Sequence, residues 1–163
     1  MGETDRVKDV LDDLGFQLDF WRIRMRPGSP VSFGHLPREG GSVPVMGLPG
    51  NPVSAMVTCL VLAGPAIRAL GGHRRRFPFS TRAIVRSPLS GPEKLTRFFR
   101  VTLTPESSGG WGARAAAGQG SGVIKSMALA DGLAVVPDGT RAPGVGEFVE
   151  VLVLPHRGWD EDR

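Results

Sequence analysis

Five short apolar segments crowd the second half of this 163-residue chain, and they constrain its fold more than any other feature. Each is rich in the β-branched, aromatic and other apolar residues that strands favour, and Gly, Pro or Ser turns separate them. The segments are "STRAIVRSPL", "TRFFRVTL", "WGARAAA", "GLAVVP" and "GEFVEVLVL". This pattern predicts a small all-β barrel or sandwich over residues 77–154, with one helical interruption at "GSGVIKSMALADG" and a tail at 155–163.

Residues 1–74 follow a different pattern, which predicts part of an α/β layer. "RVKDVLDDLG" carries apolar residues at helical spacing and ends in a glycine, so a first amphipathic helix is expected. Phe16–Met25 alternates apolar and polar residues and predicts one strand, and the irregular loop "RPGSP" follows it. "VSFG" and "VPVMG" predict two further strands before a second helix.

The second helix is the best-marked element of the chain. Asn51 suits the N-cap and Pro52 the first helical position, and the pair Gly71–Gly72 ends the helix. Pro65 is expected to kink it, and Cys59 is expected in its apolar core. The apolar stretch 53–66 is interrupted and falls short of a bilayer's thickness.

Composition narrows the functional classes. The 23 glycines and 14 prolines show no period, while 40% of the residues are apolar, which excludes a collagen-like chain and argues against wholesale disorder. The net charge of +4, carried by 17 arginines and 3 lysines, is weak support for nucleic-acid binding. A single cysteine provides no disulfide framework, and the N-terminus lacks the apolar core of a signal peptide. These features predict a cytoplasmic protein with neither a nucleic-acid nor a membrane partner.

Two segments of the first half combine groups that bind anions. "LPGNPVS" places backbone N–H groups and Ser54 at a helix N-terminus, although a tight turn with an Asn cap explains the same letters. Arg22, Arg24 and Arg26 alternate along the predicted strand, so they are expected on one face, directed at an anion or at solvent. Acid–base pairs, metal-ligand clusters and nucleophilic triads are not evident in the sequence.

Several of these segments resemble the MoeA family of molybdopterin molybdotransferases, whose eukaryotic relative is the E domain of gephyrin. The resemblance lies in the order and spacing of "GETDRVKDVLDDLG", "RMRPGSPVSFG", "LPGNPVSA", "GPAIRALGG", "FFRVTL" and "GQGSGVIKSMALADGLAVVP". It covers roughly residues 2–154. It implies that residues 1–74 are the C-terminal half of a MogA-like molybdopterin-binding domain and residues 77–154 are the family's last domain, a β-barrel.

The resemblance also implies an activity and a set of site residues. Family members insert molybdenum from molybdate into adenylylated molybdopterin and release AMP, with Mg²⁺ as the metal. Asp5, Arg22 and Arg26 match catalytic positions, and Asp5 is the candidate metal ligand. The residues implied to bind substrate or oxyanion are Ser29, Pro49, Gly50, Asn51, Pro52, Ser54, Arg100 and Ser121.

This chain departs from the family in two respects. Many members have "KPGKP" where this chain has Arg26–Pro30, so Ser29 replaces a lysine and removes a cation from the implied pocket. We therefore expect an altered affinity or preference among oxyanions. Family members also have four domains and form homodimers, and a MogA-like adenylyltransferase is an implied partner. The chain starts within the third domain, so we expect it to be inactive alone and to expose unpaired strand edges and an apolar face.

Two other functions stay open at the level of sequence. A non-catalytic binding or scaffolding module is compatible with the relationship to gephyrin. A nucleic-acid binder that uses the basic run His73–Arg76 is also conceivable, but it lacks interleaved aromatic residues on a recognisable platform.

Overall fold

The computed structural model describes residues 7–120 and 123–155. The first part of the chain contains a short helix and a three-stranded antiparallel sheet with β3 at its centre. These elements are α1 (Val7–Asp13), β1 (Gln17–Trp21), β3 (Ser32–Arg38) and β4 (Gly41–Gly47). The predicted order of helix, strands and second helix is confirmed. β3 and β4 form a hairpin with Arg38 opposite Gly41, and both strands are longer than predicted.

The strand predicted over Phe16–Met25 is broken at Arg22, and that prediction is wrong. Arg22 has a φ of 71°, a left-handed conformation that cannot continue a strand. After this turn the chain leaves the three-stranded sheet and forms β2 (Met25–Arg26), which pairs with the barrel instead. Consequently the arginines at positions 22, 24 and 26 do not share a strand face.

The second helix runs through three stretches: α2 (Pro52–Thr58), a π-helical segment (Cys59–Ala63) and α3 (Gly64–Leu70). Proline has no N–H and crowds the carbonyl four residues earlier, so an α-helical pattern cannot continue through Pro65. Just before Pro65 the backbone hydrogen bonds change from the α-helical to the π-helical pattern, so the Gly64 N–H donates to the carbonyl of Cys59, five residues earlier. The expected disruption thus takes the form of a π segment. Cys59 is exposed, contrary to its predicted burial, because the helix directs Val53 and Val57 inward instead.

The second part of the chain is a closed five-stranded barrel, as predicted. Its strands are hydrogen-bonded in the order β6, β7, β5, β9 and β8, and β8 pairs back onto β6 to close it. Inward side chains such as Val85, Val101 and Val151 fill its interior. The strands are β5 (Ser80–Val85), β6 (Thr96–Pro105), β7 (Trp111–Ala115), β8 (Gly132–Val136) and β9 (Phe148–Val153), with α4 (Ile124–Leu129) between β7 and β8.

One edge of β6 is divided between two partners. β2 pairs with it in parallel at Thr96 and Arg97, and β7 pairs with it from Val101 to Pro105. Residues 98–100 lie between these two pairings. The loop after β7 approaches β6 at this interval, and the candidate site forms there.

A second apolar cluster joins the helical part to the barrel. Its buried members come from both parts of the chain and include Met25, Val53, Val57, Met127 and Leu133. Met25 arrives through β2 and the valines through α2, while Met127 and Leu133 belong to α4 and β8. The helical part and the barrel therefore share a core beside β6.

The helical run Pro52–Leu70 is 19 residues long, and its length and composition are sufficient to cross a bilayer. The expectation that this apolar stretch is too short is therefore wrong. The apolar stretch 53–66 is only part of this helix, which begins one residue before it and continues four residues beyond it. A single helix of this kind is weak evidence for a membrane span, and three of its residues, Val53, Val57 and Thr58, are fully buried.

The outer surface of the first part has apolar side chains that no described residue covers. Val10 on α1, Leu14 directly after it, and Leu18 and Trp21 on β1 are each more than half exposed. Within the described residues, β1 and β4 each pair on one edge only. The expected strand edges and uncovered apolar face are both present.

Candidate functional site

A cleft of about 500 Å³ lies where β2 meets β6. Its walls come from the loop after β2, the loop before β6 and the loop after β7. Four of the sequence-predicted site residues line it, namely Arg26, Ser29, Ser54 and Arg100. The tertiary structure thus brings together residues from both parts of the chain.

The loop Arg26–Pro30 is held against α2 by close packing. Its Arg26–Pro27 peptide bond is cis, and Gly28 is buried with a φ of 112°. A Cβ at Gly28 would lie 2.5 Å from the Thr58 hydroxyl oxygen. That hydroxyl donates a hydrogen bond to the Ser54 carbonyl at 2.7 Å, so loop and helix form one packed wall of the cleft.

The start of α2 brings only Ser54 to the cleft. Asn51 caps the helix as predicted, accepting a hydrogen bond from the Ser54 N–H at 3.3 Å, and Ser54 is 6% exposed. Pro49 and Gly50 precede the helix, Pro52 begins it, and none of the three lines the described part of the cleft. Their roles in substrate binding, like that of Asn51, stay predictions.

Arg100 is the most buried cation of the site, with 1% of its surface exposed. Its Nε donates to the Ser126 hydroxyl at 3.1 Å, and its Nη2 donates to the carbonyls of Gly118 and Gly120. These partners are neutral, and Arg100 forms no ion pair with the described residues. Burial lowers the pKa of the Arg100 guanidinium, because a low-dielectric environment disfavours its charged form.

Gln119, which the sequence analysis missed, fixes the loop beside Arg100. Its side-chain oxygen accepts from the Arg100 N–H at 3.1 Å, and its amide nitrogen donates to the Arg100 carbonyl at 2.8 Å. The same nitrogen donates to the Ala116 carbonyl. The Gln119 side chain thus takes the place of a neighbouring strand at residues 98–100 of β6, where neither β2 nor β7 pairs. Its two chain neighbours, Gly118 and Gly120, supply the carbonyls that accept from the Arg100 guanidinium.

Arg97 is a second buried arginine of the cleft that the sequence analysis missed. It is 2% exposed, its Nη1 donates to the Gly91 carbonyl at 3.0 Å, and its Nη2 donates to the Thr140 carbonyl. Its Nε is buried without a hydrogen-bond partner. The sequence does contain a sign of this site. Alternation along β6 places Arg97 on the inward face with Phe99 and Val101, where an apolar residue is expected and a charged one is unusual.

Two arginines of the predicted anion face lie elsewhere. Arg22 stacks on the Trp21 ring, with its guanidinium carbon 4.4 Å from the ring centroid. Arg24 forms an ion pair with Asp138 at 3.0 Å and donates to the Lys94 carbonyl. The structure therefore retains Arg26 in the cleft and separates Arg22 and Arg24 from it.

The described part of the site does not fit a divalent cation. Its lining contains no carboxylate, and the described residues contain no group of three metal-ligand side chains. Mg²⁺ prefers carboxylate and phosphate oxygens, which serine and glutamine side chains alone do not supply. Asp5, the candidate metal ligand, and Ser121, a candidate oxyanion ligand, both lie outside the described residues.

Two models of known protein domains match this chain. Residues 1–69 match a probable molybdopterin-binding domain, and residues 82–154 match the MoeA C-terminal region, domain IV. The two matches occupy most of the chain, in the order in which the resemblance places the two domains. The chain belongs to the MoeA family. The division predicted between residues 74 and 77 lies between the two matches and stays a prediction.

Individual relatives agree with this assignment. Molybdopterin molybdenumtransferase 1 of Mycobacterium tuberculosis is 35% identical over 159 residues, which is 95% of this chain and 37% of the relative. The molybdopterin molybdenumtransferase of Synechococcus elongatus is 34% identical over 94% of this chain and 36% of its own length. A crystal structure of a molybdopterin biosynthesis MoeA protein from Pyrococcus horikosii superposes with a TM-score of 0.71 at 26% identity, over 91% of this chain and 34% of that one. This MoeA chain thus spans little more than a third of those relatives.

Proposed function

We propose that this chain works in molybdenum cofactor biosynthesis as part of a molybdopterin molybdotransferase. The reaction inserts molybdenum from molybdate into adenylylated molybdopterin and releases AMP. The observation that carries the proposal is Arg100, a buried guanidinium on the cleft wall without an ion pair among the described residues. A buried cation without a counterion favours an anionic ligand, because the ligand supplies the missing charge.

The residues of the cleft have separate tasks in this proposal. Arg100 compensates the charge of the oxyanion, and the Ser54 hydroxyl donates a hydrogen bond to one of its oxygens. Arg26, exposed at the cleft entrance, attracts the anionic substrate. Gln119 keeps the Arg100 guanidinium in one position, so the charge is preorganised before the substrate arrives.

The same proposal includes components that no described residue tests. They are Mg²⁺ held with the help of Asp5, an oxyanion contact from Ser121, a homodimer, contact with a MogA-like adenylyltransferase, and a cytoplasmic location. The names of the relatives that match along nearly the whole chain favour a transferase over the scaffolding alternative.

Molybdate binding tests the proposal on the 163-residue chain. We expect calorimetric titration to show molybdate binding that Arg100→Lys and Ser54→Ala each weaken about tenfold, the effect of losing one hydrogen bond to a charged ligand. Arg114→Met is the matched control, since it removes an exposed arginine of β7 that does not line the cleft. Unchanged molybdate binding in both cleft variants would refute the proposed role of these residues.

A further inference from the structure

Two arginines stand side by side at the mouth of the cleft. Arg26 of β2 and Arg97 of β6 are register partners in a parallel pairing, so their side chains leave the sheet on the same face. Both line the cleft. Like charges on directly neighbouring strand positions repel each other, and folded proteins avoid such pairs unless something compensates them.

The described residues do not provide that compensation. Arg26 is exposed and makes no hydrogen bond or ion pair with them, and Arg97 binds only carbonyl oxygens and leaves its Nε unpartnered. The loops beside Arg97 contain carboxylates, but other arginines engage them. Asp138 pairs with Arg24, and Glu147 pairs with Arg141. Arg141 also has a favourable charge interaction with Glu93.

The surroundings of Arg97 are closely packed. A Cβ at Gly91 would lie 3.3 Å from the Arg97 Cδ and 3.7 Å from the Phe99 ring. The guanidinium is held between the Gly91 and Thr140 carbonyls, which come from two different loops. Its charge is therefore fixed in place in a low-dielectric environment, where it attracts an anion more strongly than it would in water.

We propose that Arg26 and Arg97 form a second anion-binding subsite of the cleft, which takes a tetrahedral dianion such as a phosphoryl group. Arg26 makes the direct contact from the exposed side, and the buried Arg97 supplies the second positive charge beneath it. Arg97 and Arg100 are three positions apart on β6, so alternation directs them to opposite faces of the strand. The subsite is thus distinct from the position at Arg100 and Ser54.

This subsite deepens the proposed function, and only the identity of its natural ligand rests on that function. A cleft with two anion positions fits a substrate that presents an oxyanion at one end and a phosphate ester at the other. A free inorganic oxyanion could equally occupy the Arg26–Arg97 subsite. Prolines and a leucine line the cleft beside it, namely Pro27, Pro30, Pro92 and Leu95, and they favour the organic ester, whose carbon skeleton they can contact.

Titration of the 163-residue chain with inorganic phosphate at constant ionic strength tests the subsite. We expect Arg26→Met and Arg97→Met each to weaken phosphate binding at least tenfold, while Arg114→Met leaves it unchanged. Arg26→Met removes no hydrogen bond to the described residues, so its folded state should melt at the temperature of the parent. Equal phosphate binding by the parent and both cleft variants, or an equal loss in Arg114→Met, overturns the proposal.

A parallel titration with phenyl phosphate identifies the source of the anion. Tighter binding of phenyl phosphate than of inorganic phosphate, lost in Arg97→Met, supports an organic phosphate ester. Equal or weaker binding assigns the subsite to a free oxyanion. Failure of the two proposals is also distinguishable, because Arg100→Lys should weaken molybdate binding and retain the phosphate affinity of the Arg26–Arg97 subsite.

Discussion

Gly28 occupies the tightest backbone position of the cleft wall. Its φ of 112° lies in a region that side chains rarely adopt, and the Thr58 hydroxyl fills the space where a Cβ would project. The loop between β2 and β3 can therefore pack on α2 only with glycine at this point. The position of Arg26 and Ser29 in the cleft depends on that packing.

Gly28→Ala should destabilise the fold by about 3 kcal/mol, since it adds a steric clash to a strained φ. Gly40→Ala is the matched control: Gly40 also has a positive φ, but a Cβ there meets nothing within 4 Å. The control should cost only about 1 kcal/mol. Urea unfolding of both variants measures the difference, and equal losses would show that Thr58 imposes no constraint.

The arginines near the cleft show what single-residue patterns can predict. Alternation predicted Arg22 and Arg26 on one strand face, directed at an anion or at solvent. The structure keeps Arg26 in the cleft but separates Arg22 from it, because a left-handed residue interrupts the strand. Nothing in a strand pattern specifies that break. The sequence did not identify Arg97 as a site residue. Alternation along β6 places its side chain inward, but its position beside Arg26 follows from the pairing of β6 with β2, which a strand pattern does not show.

At the scale of elements, β6 organises the site because three neighbours share it. β8 covers one edge, while β2 and β7 divide the other. Gln119 bonds the backbone of Arg100 in the interval between them. The strand itself was predictable from its residues. Its partners were not, since the sheet order joins β2 to a strand some seventy residues later.

The hairpin of β6 and β7 is fastened to β5 by a bidentate ion pair. Arg86 donates from Nε and Nη2 to the two Glu106 oxygens at 2.8 and 2.6 Å. These hydrogen bonds are the main reason that the pKa of Glu106 is lowered, and the Arg86 charge adds to the effect. A lowered pKa means that the folded state favours the ionised carboxylate.

The stability from this pair should therefore depend on pH. It is fully present above the unfolded carboxyl pKa of about 4.3 and is lost as the pH falls through the lower pKa of the folded state. Thermal melting at decreasing pH should show Glu106→Gln below the parent at neutral pH and approaching it as the pH falls through the lowered pKa of Glu106. Glu150→Gln, at an exposed position of β9, is the matched control and should follow the parent throughout. A difference between Glu106→Gln and the parent that is the same at every pH would contradict this account.

At the scale of the whole molecule, the cluster beside β6 couples the helical part to the barrel. Leu133 of β8 is fully buried in it, together with Val53 and Val57 of α2. The cleft lies at the same junction, so the position of Ser54 relative to Arg100 depends on this shared core. Removing part of the core should loosen both parts at once.

Leu133→Ala should lower the free energy of unfolding by about 3 kcal/mol, a typical loss for a leucine truncated in a packed core. Leu70→Ala is the matched control: Leu70 is 74% exposed, and its loss should stay within about 0.5 kcal/mol. Tryptophan fluorescence and circular dichroism should report one common transition. Different midpoints by fluorescence and by circular dichroism would show that the two parts unfold independently.

The strands of the barrel, the capped second helix and the order of elements follow from the sequence, and the family resemblance grouped Arg26, Ser54 and Arg100, which line one cleft. Helix caps, periodicity and turn residues are local, and the family motifs are read in order along the chain. Which distant residues come into contact follows from the folded chain alone. It broke the first strand at Arg22, exposed Cys59 and placed Arg97 beside Arg26, because pairing between distant strands and packing against a second layer depend on the whole chain.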